Sequence, residues 1–138
     1  MTDDQSAIAA IIHAYAERLD DGDLDGVAAL FENADWITDG RVRGHGVAHA
    51  RRQYDRVILS GDGTPRTRHV ITNLVVDVAG DGSSAAARSY FVVLQQTGPI
   101  LAGRYHDRFE RDSDGWHLSA REFHADLIGD LSLHYRFA

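Results

Sequence analysis

No cysteine occurs in the 138 residues. That absence excludes a disulfide framework, a thiolate nucleophile and any zinc site built on sulfur, and it fits a reducing compartment. Proline is nearly absent too: Pro65 and Pro99 are the two instances, and both read as turn residues. Long apolar runs are missing. The longest, Ala7 to Ile12, falls far below the roughly 20 residues that a membrane-spanning helix needs, so no membrane partner is expected. The start Met1-Thr2-Asp3-Asp4 is acidic where a secretory leader would be basic, which predicts a cytoplasmic chain.

Positive charge is also scarce. Fourteen Lys+Arg face twenty-one Asp+Glu, for a net charge of −7, a balance that repels phosphate backbones and anionic lipid. Arg41, Arg43, Arg51, Arg52 and Arg56 form the one dense basic cluster, mixed with Asp55 and lacking aromatic stacking platforms. They read as a solvated helix face, and no nucleic acid is expected as a partner. What is present, 43% hydrophobic and 25% charged residues, suits a folded core, and the length suits a single domain over residues 1–138.

Thr2-Asp3-Asp4-Gln5 has the spacing of a capping box, after which Ile8, Ile11, Ile12, Tyr15 and Leu19 recur at helical intervals. This helix should end near Gly22. Asp23 then caps a second helix carrying Leu24, Val27, Ala28, Leu30 and Phe31. Ala34 to Thr38 followed by Asp39-Gly40 reads as a short strand and turn. A third helix follows, with Val47, Tyr54, Val57 and Ile58 on its apolar face, and stops at the Gly61-Asp62-Gly63-Thr64-Pro65 cluster. Beyond Arg66, β-branched and aromatic runs alternate with turn dipeptides. Four strands at 67–79, 84–96, 100–111 and 116–128 are predicted, joined as consecutive hairpins in an antiparallel meander. Helices first and a curved sheet afterwards make an α+β arrangement.

The common catalytic signatures are absent: no Gly-x-Ser-x-Gly, no phosphate loop, no dinucleotide fingerprint and no His-Glu-x-x-His. Polar residues inside expected core segments remain. Asp20 stands at the C-terminal end of the first helix, where the helix dipole disfavours an acid, and at the border of the apolar stripe. His69 opens the first long strand, where alternation groups it with Ile71 and Asn73 on one face, a mixture that suits a pocket lining. On spacing alone, a surface acid and a hydrogen-bonded structural histidine are the commoner readings of such residues.

Taken together, Tyr15…Leu19-Asp20-Asp21-Gly22-Asp23-Leu24-Asp25, Phe31…Ala34-Asp35-Trp36, Thr67-Arg68-His69, Gly103-Arg104-Tyr105-His106-Asp107-Arg108-Phe109 and Asp114-Gly115-Trp116 resemble the SnoaL-like branch of the nuclear transport factor 2 superfamily. The resemblance covers nearly the whole chain. It implies a cone-shaped barrel, in which a curved antiparallel sheet packs against three N-terminal helices around one apolar pocket. Family enzymes such as scytalone dehydratase, hexachlorocyclohexane dehydrochlorinase and bile acid 7α-dehydratase use an Asp–His pair, which the resemblance places on Asp20 and His69. It also aligns Tyr15 with a catalytic tyrosine and Arg121 with an arginine of some dehydrochlorinases. Leu94 or Gln95 and Tyr105 stand where scytalone dehydratase has a further His and Asn.

The implied chemistry is that of a cofactor-independent lyase or isomerase. Asp20 orients, His69 abstracts a proton, and Tyr15, Trp36, Tyr54, Asn73, Tyr90, Tyr105 and Arg121 surround a small hydrophobic, cyclic substrate. The other reading is a non-catalytic binding or subunit-docking module of the same fold. A homo-oligomer, dimer or trimer, is expected in either case. No metal site is expected: His45 and His49 are four residues apart but lack a carboxylate between them. The tail from Ile128 to Ala138 either covers the mouth of the cone or pairs with a neighbour. His13, His106, His117, His124 and His134 carry no role that spacing assigns.

Overall fold

The computed structural model describes residues 1–136. Helix α1 (Asp3–Asp20) begins as its sequence requires: Thr2 Oγ1 accepts the Gln5 N–H at 3.1 Å and the Gln5 side chain accepts the Thr2 N–H at 2.9 Å, closing the capping box. It ends in a Schellman turn. The Asp23 N–H bonds the Arg18 carbonyl and the Gly22 N–H bonds that of Leu19, with Gly22 at φ 76°. A Cβ on Gly22 would also run into the Gly63 carbonyl, so both backbone angle and space demand glycine there. Asp23 then accepts the Gly26 N–H and caps α2 (Leu24–Ala29).

Strand β1 (Asp35–Thr38) turns at Asp39-Gly40, both at positive φ, into β2 (Arg41–His45). Sequence reading does not anticipate β2, because its one apolar side chain, Val42, is exposed. Helix α3 is consequently shorter than expected, Gly46–Tyr54, and excludes Val57 and Ile58. Tyr54 and Val57 are buried while Val47 is exposed. The basic cluster is therefore divided among an edge strand, a helix and, for Arg56, the turn that follows it, and does not form one helix face.

Strands β3 (Arg68–Val78), β4 (Ser84–Gln95), β5 (Gly98–Asp112) and β6 (Gly115–Ile128) form the expected meander. The sheet order is β2-β1-β6-β5-β4-β3, so the short strand joins the four long ones and β2 adds a sixth; β1 runs parallel to β6, which makes the sheet mixed and not wholly antiparallel. Its two ends, β2 and β3, do not pair, so the curved sheet that packs on the helices stays open along one side. Pro99 lies within β5 opposite Leu94 and not in the turn.

Helical Ile8, Ile12, Leu19, Val27 and Phe31 pack against Val76, Phe91, Val93, Phe109 and Leu118 of the sheet. Two irregularities decide which polar residues join this inner face. In β6 a shift opposite Arg108/Phe109 lets both Phe109↔Leu118 and Asp107↔Arg121 point inward, re-aiming Arg121 and Phe123. In β3 a shift between Thr72 and Val75 places Asn73 at φ 54° on the exposed side. After β6 the chain folds back over the loop that follows α3. Ile58 N–H bonds the His134 carbonyl, Arg136 N–H bonds that of Arg56, and Val57 bridges Tyr135. The described part of the tail thus lies over the chamber, and residues 137–138 fall outside the described residues. Among the described residues no helix is long and apolar enough to cross a membrane.

Candidate active site

The Schellman turn fixes Asp20 beside the first residues of β3. Asp20 Oδ1 accepts from His69 Nδ1 at 2.6 Å and from Thr67 Oγ1 at 2.8 Å, while Oδ2 accepts the His69 backbone N–H at 2.9 Å. Both side chains are buried, Asp20 at 7% and His69 at 9% exposure. Burial by itself would push the Asp20 carboxyl up. The bonds from the His69 ring and backbone, the charge of His69 and the Thr67 hydroxyl outweigh it and hold the carboxyl below its ordinary value. An ionised carboxylate only accepts, so the proton between the groups belongs to Nδ1 of the ring, and Nε2 is the nitrogen left for the chamber that His69 lines.

That chamber measures about 290 Å³ and is walled by Tyr15, Trp36, Tyr54, Phe91, Val93, Leu101, Tyr105, Phe123, Leu131 and Tyr135 along with His69. Its size is at the lower end for small-molecule sites, which run from about 300 Å³ upward. The wall is mostly aromatic. Phe91 stacks on Tyr105 with centroids 4.3 Å apart, Trp36 lies 4.3 Å from Phe123, and Tyr15 meets Tyr54 and Tyr105 edge-on. Besides the imidazole, its polar lining includes Thr38, Gln53, Arg56, His124 and a phenol pair in which Tyr54 Oη donates to Tyr15 Oη at 2.7 Å. Burial raises the Tyr15 hydroxyl, against the opposing pull of Arg121, Tyr54 and Tyr105, and it raises Tyr54 and Tyr105 further. All three phenols therefore remain protonated donors at neutral pH.

Four of the seven residues expected around the substrate, Tyr15, Trp36, Tyr54 and Tyr105, line the chamber. Three do not. Tyr90 is 50% exposed on the outer face, because Phe91 and Val93 take the inward phase of β4. Asn73 is exposed by its bulge. Arg121 is 1% exposed but sits behind the wall, bonded to Asp107 through Nε at 2.7 Å and Nη2 at 2.9 Å, with its guanidinium 3.7 Å from the Tyr105 ring centre and 4.3 Å from that of Tyr15. It meets the chamber through the rings of Tyr105 and Tyr15 and, at 6.0 Å, that of Phe123.

Two histidine placements are not legible from spacing. His134 of the tail is fully buried, its ring centre 6.3 Å from that of His69, and neither of its nitrogens has a hydrogen-bond partner among the described residues. His106 and His124 flank Glu122 on the outer sheet face. The helix-start pair is not assembled: His45 Nδ1 bonds Asp35 at 2.8 Å, while His49 lies edge-on to Trp36. The chain has neither lysine nor cysteine, so Schiff-base and thiolate catalysis have no side chain to use.

The sequence profile of a family described as SnoaL-like domain matches residues 1–122. Among curated proteins none matches. A candidate aromatic ring hydroxylase from Novosphingobium aromaticivorans superposes with a TM-score of 0.73 at 26% identity, covering 95% of this chain and 96% of that one. A Mycobacterium tuberculosis protein of unknown function, Rv3472, gives 0.68 at 26% identity over 88% of this chain and 70% of its own. A candidate scytalone dehydratase from N. aromaticivorans gives 0.68 at 22% identity, over 88% and 83% respectively. At that identity it speaks for the fold alone.

Proposed function

Because the chain belongs to the SnoaL-like domain family, we propose that it is a cofactor-independent lyase or isomerase in which His69 removes a proton from a small hydrophobic, cyclic substrate. The observation that carries this reading is the buried 2.6 Å Asp20–His69 bond at the wall of an aromatic chamber. With Nδ1–H held by the carboxylate, Nε2 offers its lone pair to an acidified C–H. That bond breaks, its electron pair forms the new double bond, and a leaving group departs or a carbonyl becomes an enolate. The proton rests on Nε2, and Asp20 stabilises the resulting imidazolium. Tyr15, with Tyr54 behind it, donates a hydrogen bond to the oxygen or halide where negative charge gathers. The volume of about 290 Å³ suits a substrate of one or two rings, and the apolar wall keeps water from competing for the proton.

Activity screening on cyclic hydroxy-ketones, enolisable ketones and halogenated rings tests the reading. His69→Ala should lose at least about a hundredfold in kcat, the usual weight of a positioned general base, while still taking up the same ligand. The second reading, a binding or subunit-docking module, is supported by the likeness in fold to the beta subunit of a candidate aromatic-ring-hydroxylating dioxygenase from N. aromaticivorans, with a TM-score of 0.68 at 21% identity. It gains if His69→Ala and Asp20→Ala leave every detected activity unchanged.

A further inference from the structure

Strand pairing gathers a second polar group on the outer face of the sheet, outside the chamber mechanism. Glu122 and His124 are two apart on β6 and therefore point the same way, and His106 of β5 is the direct cross-strand partner of Glu122. His124 Nε2 lies 2.8 Å from Glu122 Oε1, and His106 Nδ1 lies 3.7 Å from the same oxygen. The three donor atoms all fall within 4.8 Å of one another, and the two imidazole centres are 4.9 Å apart. In a tetrahedral zinc site, with metal–ligand bonds of about 2.0–2.2 Å, neighbouring donor atoms are separated by about 3.4 Å. Two edges of this triangle already bracket that value. The third closes by rotation of the His106 ring, whose side chain is 48% exposed and free to turn.

We propose that His106, Glu122 and His124 form a surface site for a borderline divalent metal such as zinc, with two imidazole nitrogens and one carboxylate as ligands and water completing the shell. The ligand set is the one such ions prefer, nitrogen and oxygen with no thiolate. Calcium and magnesium are disfavoured, because imidazole is not their ligand. In the metal-free chain the His124 Nε2–H donates to the Glu122 carboxylate; when the ion takes that place the ring's proton sits on Nδ1, and because protonated imidazoles cannot ligate, uptake weakens in acid. Charged neighbours set the affinity. Arg104 is occupied by Asp126 through two bonds, Asp126 lies within electrostatic reach of His124, and Arg88 stands across from His106 on β4. The site is distinct from the Asp20–His69 pair and does not depend on the reaction proposed for it, although His124 also borders the rim of the chamber.

Titration of the full chain with zinc chloride, followed calorimetrically and by competition with a chromophoric chelator, tests the site. One equivalent should bind at pH 7.5, and affinity should fall at least about tenfold in each of His106→Ala, His124→Ala and Glu122→Gln. Substituting cobalt should give the visible bands of a four-coordinate ion, and these should vanish in His124→Ala. His106 is exposed and Glu122 and His124 are partly exposed on the outer sheet face, so the variants should keep the fold, which circular dichroism verifies. No saturable binding, binding unchanged in the variants, or a loss in one variant only would each overturn the three-ligand site.

Discussion

Two buried acid–base pairs flank the chamber, alike in construction and opposite in what they permit. Asp107 and Arg121 face each other across β5 and β6 with two hydrogen bonds, and aromatic rings cover the guanidinium. Burial would pull the guanidinium down, but the charge and bonds of Asp107 more than compensate, so it stays charged throughout the accessible pH range. Its proton never moves, and its contacts are to protein. Asp20 and His69 also share a buried bond, but the imidazole lines the chamber and has a second nitrogen that this bond leaves unused. Buried charge pairing alone therefore marks no catalytic site. A titratable member that keeps one face open to a cavity does.

This contrast can be broken or sharpened experimentally. Arg121→Met leaves the Asp107 carboxylate buried without a partner, which should cost about 3–5 kcal/mol, read as a lowered urea midpoint. Adding Asp107→Leu should recover most of it, since replacing both charges by apolar groups is often close to neutral. If Arg121→Met kept full stability and lost only turnover, the assignment of this pair to structure would fail.

His134 should produce the next largest effect. Burial, with the charge of His69 adding to it, pushes its ring from 6.5 down to about 4. The folded chain refuses a proton that the unfolded chain takes up below pH 6.5, so stability is complete above that pH and declines as pH falls towards 4, by about 3 kcal/mol in all. Urea denaturation across this window should show the slope, and His134→Leu should flatten it. A variant with the wild-type slope would place the proton uptake elsewhere. Tyr54→Phe is the gentlest test: it removes the donor to Tyr15 and should cost about 1 kcal/mol of stability. It should also slow turnover less than Tyr15→Phe, whereas equal losses would mean that the phenols act as one unit.

Much of this architecture is legible in the sequence where local rules operate. Thr2 and Gln5, Gly22 and Asp23 mark the helix ends because capping and left-handed turns need those residue types, and the turn dipeptides place the long strands within three residues of their observed limits. The Asp20–His69 juxtaposition comes from motif resemblance, since no local rule brings residues 49 apart together. What escapes reading is set by long-range geometry. β2 carries no alternation, so only its pairing with β1 reveals it. Bulges turn Asn73 outward and Arg121 inward against simple period two. Tyr90 could have been excluded by phase, as the neighbour of inward Phe91. His134 could not have been found, because nothing in the tail signals that it folds back onto the loop after α3.

The central claim is that the neutral His69 ring carries its proton on Nδ1 and offers Nε2 to the chamber. Nitrogen-15 chemical shifts of the histidine side chains measure this directly, with His69→Gln assigning the signal. The account predicts a protonated Nδ1 and an unprotonated, pyridine-like Nε2 in the neutral ring, with Asp20→Asn redistributing the two forms. A neutral ring protonated on Nε2, or shifts indifferent to Asp20→Asn, would contradict it.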